Sequence, residues 1–436
     1  GPGIAHKQPP KRDGHMTDEA PARTGFLSPY RVLDLSDHRG LIAGRMFAQL
    51  GADVVQIEPP QGSNGRKVGP FDDRGRSMHW ESYAAGKRSL VLDPDAPGDR
   101  ETLLALVAKA DFVFESRGPN EPSRLTPDEI AAANPAIIHM IATPYGMTGP
   151  KADYAESDLV LWASGGPLAP TAMMGGTPTR ISVPQAWTHA SADAVGGGLI
   201  AHFARLRSGK GQLVSTSAQR SATQSTLSGS LADVVGQPDF SLRPRYTGSK
   251  KPLDLSGSGA RTQRSKWPSK DGLLEIHLAI GPATGRFTNN FMKLLIDRGA
   301  LSPEFHDWDW GTIHHRIMAD EIDDDDLERV REEVGRFLLE LGHEEAVQLA
   351  IERKLLLAPV STVKDLVESP HEAARDFFDV AKGSDGAPVT LPGPFAMTEA
   401  PGFMRGVGAP ALGAHSEAVL TEWLGSAARA SAAPAT

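Results

Sequence analysis

The chain has 436 residues, 40% hydrophobic and 23% charged, with 45 glycines and 34 prolines, an ordinary composition for a globular protein with a sizeable core. It carries a formal net charge of −9 and no cysteine. Disulfides, thiolate nucleophiles and cysteine metal sites are therefore excluded, and nonspecific nucleic-acid binding is not expected. No apolar run approaches the roughly 18–20 residues needed to cross a bilayer, and no export signal is apparent, so the expectation is a cytoplasmic protein without membrane attachment.

Residues 1–27 are polar and Pro-rich and read as a disordered arm, with Gly1-Pro2 ahead of Met16 as a leftover leader. Order is expected from Tyr30. Arg31 to Leu35 reads as a short buried strand and Gly40 to Leu50 as a helix stopped by Gly51. Asp53 to Glu58 is a second strand, closed by Pro59-Pro60. Strand, helix, glycine and strand in about 30 residues make a βαβ unit with parallel pairing. The alternation continues with a strand at Arg88–Leu92, a helix at Arg100–Ala110 and a strand at Phe112–Glu115. A helix at Asp128–Ala133 and a strand at Ile137–Ala142 follow, which predicts an open, doubly wound α/β domain over about residues 28–165.

A helix is expected from Ala190 to Arg207 despite Gly196-Gly197-Gly198, each glycine costing roughly 1 kcal/mol relative to alanine. Glycines there imply close packing of another backbone. The Gly/Ser/Lys/Arg-rich stretch 244–272 reads as an irregular loop, and residues 273–355 as a smaller domain of mixed strands and helices. Asp320, Glu321 and Asp323 to Asp326 read as a solvated helix start, where carboxylates meet the positive end of the helix dipole. No metal site is expected there, since no spaced oxygen ligands with a turn glycine are seen. Nor is one expected at His314-His315, because adjacent residues do not share a helix face, and the aromatics of Phe305 to Trp310 are expected to pack. A last helix is predicted at Ser416–Leu424.

The first βαβ unit, from Arg31 to Pro60, resembles the opening of the family III CoA-transferases, the CaiB/BaiF group. The likeness continues in order. Gly62 and Arg66 stand in that family's Gly-Asp-x-x-Arg stretch, and Gly86 to Asp93 match its lysine–arginine strand entry. Glu115 to Pro119 vary its Glu-Asn-x-x-Pro-Gly turn, and Tyr145 to Pro150 match its Gly-x-Thr-Gly-Pro loop. Ser208 to Gln212 match Thr-Gly-x-Gly-Gln. Near the far end, Leu357 to Leu366 with Glu368-Ser-Pro370 look like its Ala-Pro-Val segment, and Ala409 to Gly413 with His415 and Glu417 like its closing Pro-x-Leu-Gly-x-His. The resemblance spans about residues 30–425. It implies a Rossmann-like large domain (28–230, returning at 356–436), a linker and smaller α/β domain (231–355), and two chains interlocked as rings. It also implies acyl-CoA and a carboxylic acid as substrates, with no tightly bound cofactor.

CoA carries phosphates and an adenine, so its site needs fixed cations and an apolar slot. Lys87, Arg88, Arg66 and Arg117 lie at ends of predicted strands and are the phosphate candidates. Ile57 and Glu58 are candidates to flank the adenine, and Tyr145 and Gly146 to pass near the pantetheine or thioester. In the family an aspartate attacks the donor thioester, forming a mixed anhydride and then an enzyme–CoA thioester. Counting back from Gly209 puts Trp187 at that position. An indole has no nucleophilic oxygen. His189 can act as a base but cannot form the anhydride, Asp193 lies six residues on and off the face, and Asp158 matches a pocket-lining acid of the family. The related racemases need a His and an Asp where Ser157 and Trp187 stand, which disfavours racemisation. The glycine-rich lid has a thin counterpart, Ser256 to Gly259.

The expected function is the non-nucleophilic subunit of a heteromeric CoA-transferase, its partner supplying the aspartate as in benzylsuccinate-type transferases. The alternatives are a self-sufficient CoA-transferase or acyl-CoA enzyme, as a homodimer, using direct attack by the acceptor acid or another residue, and a CoA-thioester binding protein without turnover.

Overall fold

The computed structural model describes residues 25–93, 96–118, 120–121, 123–168, 183–226, 266–399 and 402–425. The chain divides into two compact units, one comprising residues 1–167, 181–226 and 368–436, the other residues 168–180 and 227–367.

The first unit is built on a parallel sheet of six strands: β1 (Arg31–Asp34), β2 (Asp53–Glu58), β3 (Arg88–Val91), β4 (Phe112–Ser116), β5 (Ile138–Thr143) and β6 (Gln212–Ser217). They lie in the order β3-β2-β1-β4-β5-β6, the doubly wound arrangement in which chain direction across the sheet reverses between β1 and β4. Helices α1 (Leu41–Gln49), α2 (Met78–Tyr83), α3 (Pro97–Val107), α4 (Pro127–Ala133), α5 (Asp158–Gly165), α6 (Ala186–Ser208) and α7 (Ala218–Thr223) fill the connections. A sheet covered on both faces needs apolar side chains in both directions, and the central strands supply them. Leu33, Val55, Leu90 and Val113 share one core with Leu103, Leu106 and Ile130 of α3 and α4 and with Val419 and Trp423 of the C-terminal helix Ser416–Leu424. On the opposite side Phe112 packs against Phe47 of α1, ring centroids 5.0 Å apart.

Gly51 stops α1 with φ +92°, as its position demands. Helix α6 begins at Ala186, four residues before the predicted start, so Trp187 lies in its first turn. The close neighbours of its glycines are side chains rather than backbone: a Cβ on Gly197 would meet Val214 at 2.8 Å, and one on Gly198 would meet Met140 at 2.3 Å. The helix therefore lies directly on β5 and β6.

Under the sheet sits an ion pair sealed from water. Lys87 Nζ donates to Asp34 Oδ2 at 2.7 Å and to Gln56 Oε1 at 2.9 Å, and both charged side chains are 0% exposed. Burial pulls the lysine pKa below its usual value, opposed by the neighbouring Asp34 carboxylate. Gly44 of α1 rests against this pair, with room for no methyl group: a Cβ there would lie 2.0 Å from Asp34 Oδ2.

In the second unit, strands Lys266–Ser269, Gly272–Ile276 and Leu357–Pro359 form an antiparallel sheet. The irregular loop expected over 244–272 thus gives way to a hairpin from Lys266, because Trp267 is buried in the unit's core with Leu274, Phe291, Val330 and Leu338. Residues 244–265, including the Ser256–Gly259 stretch, lie outside the described residues. Within the acidic cluster, Asp323 caps the helix Asp324–Leu339 in a reciprocal box with Asp326. Phe305, Trp308 and Trp310 pack on one another. His314 and His315 place their rings 4.0 Å apart, and no cluster of three or more potential metal ligands occurs among the described residues. No helix there is long and apolar enough to cross a membrane.

Two stability tests follow from these contacts. Lys87→Met strands the Asp34 carboxylate in the core and lowers stability in urea unfolding by about 3–5 kcal/mol, and adding Asp34→Asn recovers much of it. Glu129 closes the capping box of α4, and the Thr126 amide, Arg100 and the Thr126 hydroxyl together depress its pKa to about 2. Its contribution is fully present above the unfolded value near 4.5 and is lost as pH falls toward 2. The stability difference between wild type and Glu129→Gln should shrink over that window, and a difference independent of pH contradicts the assignment.

Candidate active site

Open α/β sheets bind ligands outside the carboxyl ends of their strands, where the strand order reverses. Here that point lies beyond β1 and β4, and the loop after β1 carries Asp37, His38 and Arg39. The loop is tied to β4 by Ser116, whose hydroxyl donates to Asp37 Oδ1 at 2.8 Å and accepts from the Asp37 amide at 3.1 Å. Asp37 Oδ1 also accepts from the Arg39 amide at 3.0 Å and from Arg39 Nε at 3.1 Å. Burial pushes the Asp37 carboxyl up, but Arg39, His38 and the Ser116 hydroxyl outweigh it and hold the group below the usual range.

A cleft of about 630 Å³ opens beside this loop, with His38, Arg39, His79, Glu156, Asp158 and Trp187 on its walls. Its apolar lining comes from Ile42, Val68, Pro70, Met78, Tyr83, Val183 and Pro184. Trp187 is 7% exposed. Its Nε1 donates to Glu156 Oε2 at 3.4 Å, and the Arg39 guanidinium stands 5.4 Å over its ring. Arg39 meets Asp37, Glu121 and, at 3.7 Å, Glu156, so one cation is shared among three carboxylates. Asp158, at the start of α5, accepts from the Gln185 and Ala186 amides at 2.8 and 2.9 Å. That bond satisfies free N–H groups at the start of α6 and fixes the turn bearing Trp187. His79, held neutral by burial, donates from Nε2 to the His38 carbonyl oxygen at 2.9 Å and sets its ring edge against Tyr83.

Of the sequence candidates, the cleft gathers Trp187 and Asp158. His189 follows on α6 with its ring 6.0 Å from Trp162, and Asp193 accepts from Ser221 and Gln224. The CoA candidates lie elsewhere, and none is among the described residues lining this cleft. Lys87 is consumed by the buried pair with Asp34. Arg88 opens β3 at its N-terminal end, the end of a strand where open sheets do not bind, and pairs with Asp53 and with Glu422. Arg66 makes a bidentate pair with Glu58 at 2.7 and 2.9 Å and lies 3.8 Å over Trp80. Glu58 also accepts from Ser89 and from the Ser63 amide and is fully buried, while Ile57 belongs to the sheet core at 1% exposure. Arg117, just past β4, donates to the Ser123 hydroxyl at 2.7 Å. Tyr145 and Gly146 follow β5, with Tyr145 edge-on to Tyr154 and Gly146 at φ +103°.

The residues that sequence reasoning missed are His38, Arg39, His79 and Glu156. For the first two a signal existed: Asp37-His38-Arg39 directly follows the first strand of a βαβ unit, the loop that a doubly wound topology delivers to the crevice. His79 and Glu156 carry no such mark, since their place depends on where α2 and the segment before α5 pack.

Comparison with known proteins covers nearly the whole chain. A profile of CoA-transferase family III matches residues 27–416. The chain is 30% identical over 405 residues to the succinyl-CoA:(R)-benzylsuccinate CoA-transferase subunit BbsE of Thauera aromatica, covering 91% of this chain and 94% of that one. It is 25% identical to the succinyl-CoA–L-malate CoA-transferase alpha subunit of Chloroflexus aurantiacus, covering 97% of this chain and 94% of that one. Among solved structures, a CAIB/BAIF family protein from Brucella suis shares the fold with a TM-score of 0.74 at 21% identity, over 92% of this chain and 100% of that one. The chain belongs to CoA-transferase family III.

Proposed function

We propose that this chain is the non-nucleophilic subunit of a CoA-transferase that moves CoA between carboxylic acids, interlocked with a family III partner that supplies the attacking aspartate. One observation carries the reading: Trp187, at the position counted for the nucleophile, projects into the cleft from the first turn of α6. The carboxylates around it are committed. Asp158 holds the start of α6, Asp37 is locked by Arg39 and Ser116, and Glu156 is engaged by Trp187 and Arg39. A nucleophilic carboxylate must be free to reach a carbonyl carbon, and a group clamped by several donors is stabilised as a spectator. Two relatives are themselves named as subunits, which fits an assembly of unlike chains.

The substrates are an acyl-CoA and a free acid. Among the cations assigned to CoA, Arg117 donates to a hydroxyl rather than to a carboxylate, and its charge is the one we assign first to the CoA phosphates.

Co-expression with an aspartate-bearing family III partner should yield a mixed assembly with transfer activity and this chain alone none. Intact-mass analysis after incubation with acyl-CoA should place the covalent CoA adduct on the partner. An adduct on this chain, or a fully active pure homomer, overturns the subunit reading. Arg117→Ala should weaken CoA binding by about tenfold or more in calorimetry. Arg88→Ala should leave CoA affinity unchanged while lowering the unfolding midpoint, since its partners are internal.

A further inference from the structure

We propose that the cleft of this chain hydrolyses acyl-CoA thioesters, with His38 as the general base and Asp37 as its positioning residue. The proposal rests on the reading that the chain binds CoA thioesters. His38 Nδ1 is buried, makes no hydrogen bond, and lies 3.6 Å from Asp37 Oδ2, while the side chain as a whole is 41% exposed and opens on the cleft. A ring backed by a carboxylate at one nitrogen and open at the other is poised to take a proton from the cleft side. Long nitrogen-to-carboxylate distances of this kind tighten when substrate is bound.

Both members of the dyad are held from behind. Asp37 Oδ1 is fixed by Ser116 and by two Arg39 donors, Oδ2 also pairs with Arg39 Nη2 at 2.6 Å, and the His38 backbone is fixed by the hydrogen bond from His79. The arrangement has no use in transfer between carboxylic acids. An acceptor acid with a pKa near 4 is already ionised at neutral pH and gains nothing from a base. Water does need one. A dyad facing a cleft whose described carboxylates are all engaged therefore fits attack by water rather than by an acid.

The step balances without any further reactant. Water oxygen bonds to the thioester carbonyl carbon as its proton passes to His38 Nε2. The carbon–sulfur bond then breaks, the CoA thiolate leaves, and the imidazolium returns the proton to sulfur. The products are free acid and CoA. The apolar wall of Ile42, Val68, Met78 and Val183 suits an aliphatic or aromatic acyl chain.

The test uses the whole purified chain with hexanoyl-CoA and succinyl-CoA and no acceptor acid, following CoA release with a thiol-reactive chromogen. The chain contains no cysteine, so the reagent reads only released CoA. In parallel, calorimetry measures binding of the thioether analogue of hexanoyl-CoA, which cannot be cleaved. Wild type should release CoA. His38→Gln should lower kcat about a hundredfold or more with thioether binding unchanged, and Asp37→Asn should lower kcat at least about tenfold with KM unchanged. Thioether binding without CoA release by wild type, or wild-type kcat in either variant, overturns the hydrolysis proposal alone. Absence of thioether binding overturns it together with the CoA-binding reading.

Discussion

The buried pair of Lys87 and Asp34 organises the first half of the sheet and, through it, the candidate site. Two opposite charges without access to water persist only when their remaining hydrogen-bonding capacity is met. Gln56 meets part of it from β2, accepting from Lys87 and donating to the carbonyl oxygens of Asp34 and Ser36. Asp34 Oδ1 accepts from the Ser36 amide at 2.9 Å, which sets the direction in which the chain leaves β1. The residues that follow are Asp37, His38 and Arg39. The geometry of the cleft rim is therefore inherited from a charge pair sealed from water, and Gly44 keeps α1 close enough to seal it.

Electrostatic organisation around Trp187 is dense but inward-looking. Arg39 neutralises carboxylates that would otherwise repel one another at the strand ends, and its guanidinium covers the indole face. The family resemblance implies a reactive acid at this place. In this chain the acids serve as a helix cap and as parts of an ion-pair network. The chemistry left to the cleft is then that of a histidine backed by an aspartate, which handles protons rather than acyl groups. On the two proposals, transfer and hydrolysis call on different residues, one set expected on a partner and the other proposed for this cleft.

The doubly wound domain was legible in the sequence because its signal is local: short β-rich runs, intervening helices, and glycines where helices stop. Five of the six strands follow that reading, whereas β6 and the strand order with its reversal between β1 and β4 came from the structure. The start of α6 was not legible, since its first turn is held by Asp158, a residue 28 positions away from the Ala186 amide. The hairpin from Lys266 was hidden in a Gly/Ser/Lys/Arg-rich stretch, where a single buried tryptophan outweighs the composition around it.

Sequence by itself determined the family, through motifs from Arg31 to Glu417, and the absence of an aspartate at Trp187. It also determined the supply of cations near strand ends. Only the tertiary structure decided which of those cations have internal partners: Lys87 with Asp34, Arg88 with Asp53 and Glu422, Arg66 with Glu58. The physical reason is that an ion pair forms only where folding brings the two charges together. Such partners come from segments up to hundreds of residues apart, which pattern along the chain cannot bring together.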